Sequence, residues 1–124
     1  VILAIDDNLD NLVLLEYQLS CLKQRSFITA TTGKDALTLA EHQNPDLILL
    51  DIHLPDIDGV EVVRKLRKCP LTANIPIVAV TALARREDRD RILASGCDDY
   101  LSKPYDLDEL EAIIHRHLSQ NCPL

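Results

Sequence analysis

Asp6-Asp7, Asp51, Thr81 and Lys103 carry the side chains that phosphoryl chemistry needs, and each follows a short apolar run. Residues 1–5 end at Asp6-Asp7, residues 47–50 end at Asp51, residues 77–80 end at Thr81, and Tyr100-Leu101 leads through Ser102 to Lys103. Side chains at matching ends of neighbouring parallel strands meet in space, and the carboxyl edge of an open α/β sheet is where ligands bind. Gathered there, Asp6, Asp7 and Asp51 would crowd negative charge, which raises carboxylate pKa values unless a cation relieves it. Hard oxygen ligands select magnesium, which takes one or two carboxylates, keeps several waters and completes its shell with phosphate. A carboxylate also serves as a nucleophile and then carries an aspartyl-phosphate. The rest of phosphoryl transfer is in-line positioning and neutralisation of the equatorial oxygens. Lys103 supplies a point charge for one oxygen, and the Thr81 hydroxyl and the Ala82 backbone N–H supply donors for others.

Each residue alone has a plainer reading. Asp6-Asp7 before Asn8 suits the cap of a first helix. Asp51 suits a turn, Lys103 a solvated surface and Thr81 an ordinary strand. The case rests on all of them falling at the ends of the first, third, fourth and fifth strands.

Those strands are read from an alternation of apolar runs and helical patterns. Residues 1–5 form an unbroken apolar run, as expected of a parallel strand buried on both faces. Leu12, Leu15, Leu19 and Leu22 recur at helical spacing and give a first helix. Residues 26–31 make a second strand that Gly33 breaks, and residues 34–42 a second helix with Ala36, Leu37 and Ala40 inward. Asn44-Pro45 turns the chain into the third and central strand, residues 46–52. Asp58, with Glu61 three residues on, caps a third helix whose buried stripe is Val60, Val63 and Leu66. A polar connection over residues 70–76 leads to a fourth strand, residues 77–81. A charged fourth helix over residues 87–95 ends at Gly96. Residues 99–102 are a fifth strand, and Asp106 with Glu109 caps a fifth helix built on Leu107, Leu110, Ile113, Ile114 and Leu118. Five βα units imply a parallel sheet covered on both faces by right-handed crossovers.

The chain has 124 residues, 47% hydrophobic and 27% charged. That is one domain, residues 1–124, with enough length for a real core. No run is long enough to span a membrane, and no signal-peptide pattern opens the chain. It holds no methionine, so it does not begin at its own start codon and is either trimmed or a piece of a longer protein. Twenty acidic and thirteen basic residues give a formal charge of −7, which argues against binding a nucleic-acid backbone or an anionic membrane. Basic residues cluster locally at Arg64, Lys65, Arg67 and Lys68, and at Arg85, Arg86, Arg89 and Arg91. They suit solvated helix faces or a dock for an acidic partner. Cys21, Cys69, Cys97 and Cys122 match no zinc spacing and read as reduced thiols in a cytoplasmic protein. His115 and His117 lie two apart on a helix and so point to different faces, which disfavours a shared metal.

The motifs Ile5-Asp6-Asp7-Asn8, Leu49-Leu50-Asp51-Ile52-His53-Leu54-Pro55-Asp56-Ile57-Asp58-Gly59, Val80-Thr81-Ala82 and Asp99-Tyr100-Leu101-Ser102-Lys103-Pro104 closely resemble those of the receiver domain of two-component response regulators, in order and over essentially the whole chain. The resemblance implies a single doubly wound α/β domain with strand order 2-1-3-4-5. It implies Asp51 as phosphoacceptor and Asp6-Asp7 as the acidic pair. Asp7 and Asp51 would bind magnesium (or manganese) together with the backbone carbonyl of His53. It further implies Lys103 as the phosphate-contacting lysine, Thr81 and Tyr100 as the switch pair, and a cis bond between Lys103 and Pro104. The donor would be a phosphohistidine on a histidine kinase or histidine phosphotransfer domain, docking near the first helix with Leu9 and Leu12 as candidate contacts. Output would pass through the surface of the fourth helix, fifth strand and fifth helix, and a homodimer could form there. Such a module is not an enzyme beyond its own phosphorylation and slow dephosphorylation.

Leu54 stands where methionine is usual in the family, a volume-conserving change. The resemblance further implies that His53 and Leu83 occupy the two positions that in this family tune water attack on the phosphoryl group, and their bulk is expected to prolong its lifetime. A flavin-binding protein shares the sheet order, but an acidic loop after the first strand would repel its phosphate. A phosphatase of the haloacid dehalogenase class wants a D-x-D pair after that strand, whereas this pair is contiguous. A receiver-like scaffold that works without phosphorylation would be expected to lack a key residue, and none is missing.

Overall fold

The computed structural model describes residues 1–21, 26–82, 86–103 and 105–119. Five strands alternate with five helices: β1 (Ile2–Ile5), α1 (Leu9–Cys21), β2 (Phe27–Ala30), α2 (Gly33–Gln43), β3 (Leu47–Asp51), α3 (Gly59–Lys68), β4 (Ile77–Thr81), α4 (Arg86–Ala94), β5 (Asp99–Ser102) and α5 (Leu107–Ser119). All strand pairs are parallel and the order is β2-β1-β3-β4-β5. Every residue of β1, β3 and β4 is buried, which is why their sequences are apolar without alternation.

The alternation survives in which face each residue serves. Ile2, Ala4, Leu47, Leu49, Val78 and Val80 pack with Leu12, Leu15 and Leu19 of α1 and Leu110, Ile113 and Ile114 of α5. Leu3, Ile5, Ile48, Leu50, Ile77 and Ala79 pack on the other face against α2, α3 and Ile92 of α4. Strand register aligns the carboxyl ends: Ile5 pairs with Leu50, Asp51 with Val80 and Thr81 with Ser102. The residues at and just past those positions therefore share one edge of the sheet.

Local chemistry sets the helix ends. Gly33 does not break β2 as expected but opens α2, while Thr32 caps it by accepting from the Asp35 N–H. A β-carbon on Gly33 would lie 2.9 Å from Val62 Cγ2, so the glycine lets α2 and α3 pack closely. Asn44 ends α2 in the left-handed region at φ 47°, a conformation asparagine tolerates. Asp58 caps α3 through the Val60 N–H at 2.9 Å, and Glu61 pairs with Arg64 at 3.6 Å instead of closing a capping box. Asp106 accepts from the Glu109 N–H at 2.8 Å. Gly96, at φ 122°, follows α4 as expected.

Three expectations are corrected. Leu12 is core rather than an accessible contact, and Leu107 is exposed because it is the first residue of α5, at the open end of the buried stripe. Arg67 belongs to no solvated face. Its guanidinium donates to the carbonyls of Ala73, Ile75 and Gly96 and pairs with Asp98 at 2.7 Å. Leu22, Leu83, Arg85, the bond to Pro104 and Cys122 lie outside the described residues. Among the described residues no helix is long and apolar enough to cross a membrane.

Candidate functional site

The site forms at the carboxyl edge of β1, β3, β4 and β5. Asn8, not the acidic pair, caps α1: its Oδ1 accepts from the N–H groups of Asp10 and Asn11 at 2.9 and 3.3 Å. Asp6 and Asp7 are thereby released from capping. Asp6 is buried, and its Oδ1 accepts from the Asn8 N–H at 3.0 Å. Asp51 is also buried, and its Oδ1 accepts from the His53 N–H at 3.0 Å. The second oxygen of each carboxylate meets one ammonium. Lys103 Nζ lies 2.8 Å from Asp6 Oδ2 and 3.2 Å from Asp51 Oδ2. Residues 97 and 52 positions apart in sequence thus share one charge cluster, brought together by strand order alone.

Asp7 is exposed beside them, and Asp6, Asp7 and Asp51 each offer an oxygen within 4.8 Å of the others. An octahedral magnesium sets neighbouring and opposite ligand oxygens about 3–4 Å apart, close to the spacing these three carboxylates already have. The donor set is all hard oxygen, and it leaves open positions for water and phosphate. These residues fit such an ion.

The electrostatics agree with a poised site. Burial raises the Asp6 pKa, but hydrogen bonds from Lys103 and the Asn8 N–H outweigh it and hold the group below its ordinary value. At Asp51 burial wins, helped by the negative charge of Asp6, and the carboxyl stays raised despite the His53 N–H and Lys103. Burial would lower Lys103, but both aspartates lift it above the usual ammonium value. The Asp6–Lys103 pair carries the firm ionic contact, and Asp51 is the carboxylate left short of positive charge.

Thr81 is fully buried at the end of β4, and its carbonyl accepts from the Lys103 N–H at 2.8 Å. Ala82 is exposed immediately after it. Tyr100 pairs in register with Ala79 and packs on the face that carries α2, α3 and α4. The Tyr100 hydroxyl is buried without a hydrogen-bond partner among the described residues. His53, two residues past Asp51, is exposed, and Leu54 packs partly buried against the core.

The family model of the response regulator receiver domain matches residues 2–115. This chain belongs to that family. The receiver domain of the sensor histidine kinase PA1611 from Pseudomonas aeruginosa PAO1, solved with magnesium coordinated in its active site cleft, has a TM-score of 0.88 at 36% identity, covering 95% of this chain and 96% of that one. The response regulator PleD of Caulobacter vibrioides is 45% identical over 105 residues, which are 85% of this chain and 23% of PleD. An uncharacterized 14.6 kDa protein of Leptolyngbya boryana is 38% identical over 117 residues, 94% of this chain and 88% of that protein. Receiver domains are the phosphoacceptor modules of two-component signalling, and this chain is a signalling module of that kind.

Two residues of this receiver site had no readable role in the sequence. Asp56 accepts from the N–H groups of Gly33 and Lys34 at 2.8 and 3.0 Å, fastening the β3–α3 loop to the start of α2. No local pattern marks a bond across 23 positions. Gly59 donates its N–H to the Ile52 carbonyl at 2.9 Å. A β-carbon there would lie 2.5 Å from Ile52 Cα and 3.0 Å from the Asp51 carbonyl oxygen. The sequence shows the glycine, but only the fold shows that it presses against the backbone of Asp51.

Proposed function

We propose that Asp51 accepts a phosphoryl group from a phosphohistidine of a histidine kinase or a histidine phosphotransfer domain. An Asp51 carboxylate oxygen forms the new O–P bond as the P–N bond of the donor breaks, and the leaving imidazole keeps the electron pair. Asp7, Asp51 and the His53 carbonyl would hold magnesium, or manganese, with Asp6 beside them. When bound, the cation draws charge from a phosphoryl oxygen and aligns it for attack. Lys103 turns its ammonium from Asp51 to a second oxygen, and the Thr81 hydroxyl and Ala82 N–H serve the third. The observation that carries this reading is the Lys103 ammonium held at 2.8 and 3.2 Å between two buried carboxylates. It is a counter-charge already in place for an incoming anion.

Phosphorylation then biases a two-state equilibrium. Thr81 moves toward the phosphoryl group and Tyr100 turns inward behind it. The buried Tyr100 hydroxyl without a partner supports a side chain with a second place to go. The surface of α4, β5 and α5, where Leu93 and Leu107 are exposed, carries output or a homodimer contact. The domain acts in the cytoplasm and binds no nucleic acid itself. Water slowly removes the phosphoryl group, with His53 impeding its approach. The test is intact mass after incubation with a small-molecule phosphodonor, with and without magnesium. One PO₃H is expected on the wild type with magnesium and none on Asp51→Asn. Equal labelling of Asp51→Asn would overturn the assignment.

A further inference from the structure

We propose that the cavity between α1 and the sheet is a second binding site, for a small aromatic amine. A half-enclosed space of about 310 Å³ opens there. Leu14, Leu15, Leu49 and Val80 line its walls, with Tyr105 and Gln18 completing it. A cavity of roughly 150 Å³ accommodates benzene, and small-molecule pockets begin at about 300 Å³, so one substituted ring fits. Leu14 is exposed at 55%, an apolar side chain kept at an opening rather than packed away.

Polar atoms set the occupant's head group. Gln18 Oε1 is buried and has no hydrogen-bond partner among the described residues, although it belongs to a residue lining this space. Buried acceptors are normally satisfied, and an N–H donor on the occupant would do so. Asp6, Asp51 and Lys103 close one end of the cavity. Two carboxylates against one ammonium leave that end negative, which favours a cation and repels an anion. The phosphoryl group is an anion that needs Lys103, and the aliphatic walls offer it nothing. The two ligands therefore differ in charge, and Gln18 and the apolar walls serve the amine alone, although Asp51, Ala82 and Lys103 border both.

Benzylamine is the probe, with benzoate as the anion of similar size, and methyl shifts of leucine and valine in the whole domain are the readout. We expect saturable shifts at Leu14, Leu15, Leu49 and Val80 with millimolar benzylamine and none with benzoate. Binding should weaken about tenfold in Gln18→Leu, the worth of one buried hydrogen bond, and tighten in Gln18→Glu. It should weaken at saturating magnesium, which neutralises the carboxylates at that end, but not vanish, because Gln18 and the apolar walls remain in place. The proposal is overturned by absence of saturable binding, by benzoate binding equally well, or by a Gln18→Leu affinity equal to wild type. Loss of binding in magnesium would also overturn it, because the amine would then be sitting on the acidic cluster. No arm of the experiment involves phosphorylation, so its outcome is separate from that of the phosphoacceptor reading.

Discussion

α3 and α4 leave the same edge of the sheet after neighbouring strands, yet they are held very differently. The loop into α3 is pinned at its base by the Gly59 N–H on the Ile52 carbonyl, in its middle by Asp56 on α2, and at its end by the Asp58 cap. Gly59, Val60, Val62, Val63 and Leu66 are all buried. Among the described side chains of α4, Ile92 alone is buried. Arg91 of α4 reaches Asp58 only at 3.8 Å. Among the described residues the firm anchorage near α4 lies past its carboxyl end, where Arg67 holds the Gly96 carbonyl at 2.9 Å. That anchor is far from the phosphoacceptor edge. The side carrying Asp51 is therefore built to stay still, and the side carrying Thr81 to respond. A switch needs both, because a small change at a fixed site is amplified only where the neighbouring element has little holding it.

The largest effect should come from Gly59→Ala. Its β-carbon would collide with the backbone at Ile52 and the Asp51 carbonyl oxygen, atoms that cannot step aside as a flexible side chain can. We expect a loss of about 2–4 kcal/mol in urea unfolding, with weaker magnesium binding in whatever remains folded. Wild-type stability in this variant would break the contrast at its firm end. Arg67→Ala should follow, at roughly 2–3 kcal/mol, since it leaves three carbonyls and Asp98 without their shared donor. Hydrogen exchange should quicken in α4 more than in α3. Equal quickening would show that the arginine does not set the difference between them.

Much of the fold and of the site was legible in the sequence, and the part that was not has a physical reason. The apolar runs gave the strands because parallel strands buried on both faces carry an unbroken signal. The aspartates and Lys103 stood out because strand ends locate them. Gly33 misled because a glycine after a strand can end that strand or open the next helix, and only packing against Val62 decides which. Arg67 sits among basic neighbours at helical spacing, so composition places it in solvent. Its partners at Ala73, Ile75 and Gly96 are main-chain carbonyls, which no residue type announces. Gln18 lay in view on the same helical stripe as Leu15 and Leu19, a polar residue on an apolar face.

A smaller effect is expected at Asp56, with a defined dependence on pH. The Gly33 and Lys34 N–H groups hold its carboxyl below the ordinary value, so folding favours the ionised form. A depressed folded-state pKa means that the stabilisation is complete above the unfolded value near 3.8. It fades as pH falls through the lower folded value. The stability difference between wild type and Asp56→Ala should therefore be constant at neutral pH and shrink in acid below that range. A difference that grew in acid would mean that the loop is held by something other than the carboxylate.

The smallest effect marks the loose end of the comparison. Arg89 is exposed on α4, and exposed charges away from caps and networks change stability by no more than about 0.5 kcal/mol. Arg89→Ala should fall within that range in urea unfolding and leave magnesium binding unchanged. A loss above about 1 kcal/mol would mean that α4 is fastened through its charged face. The element read as lightly held would then owe its place to electrostatics rather than to Ile92, and high salt should loosen it.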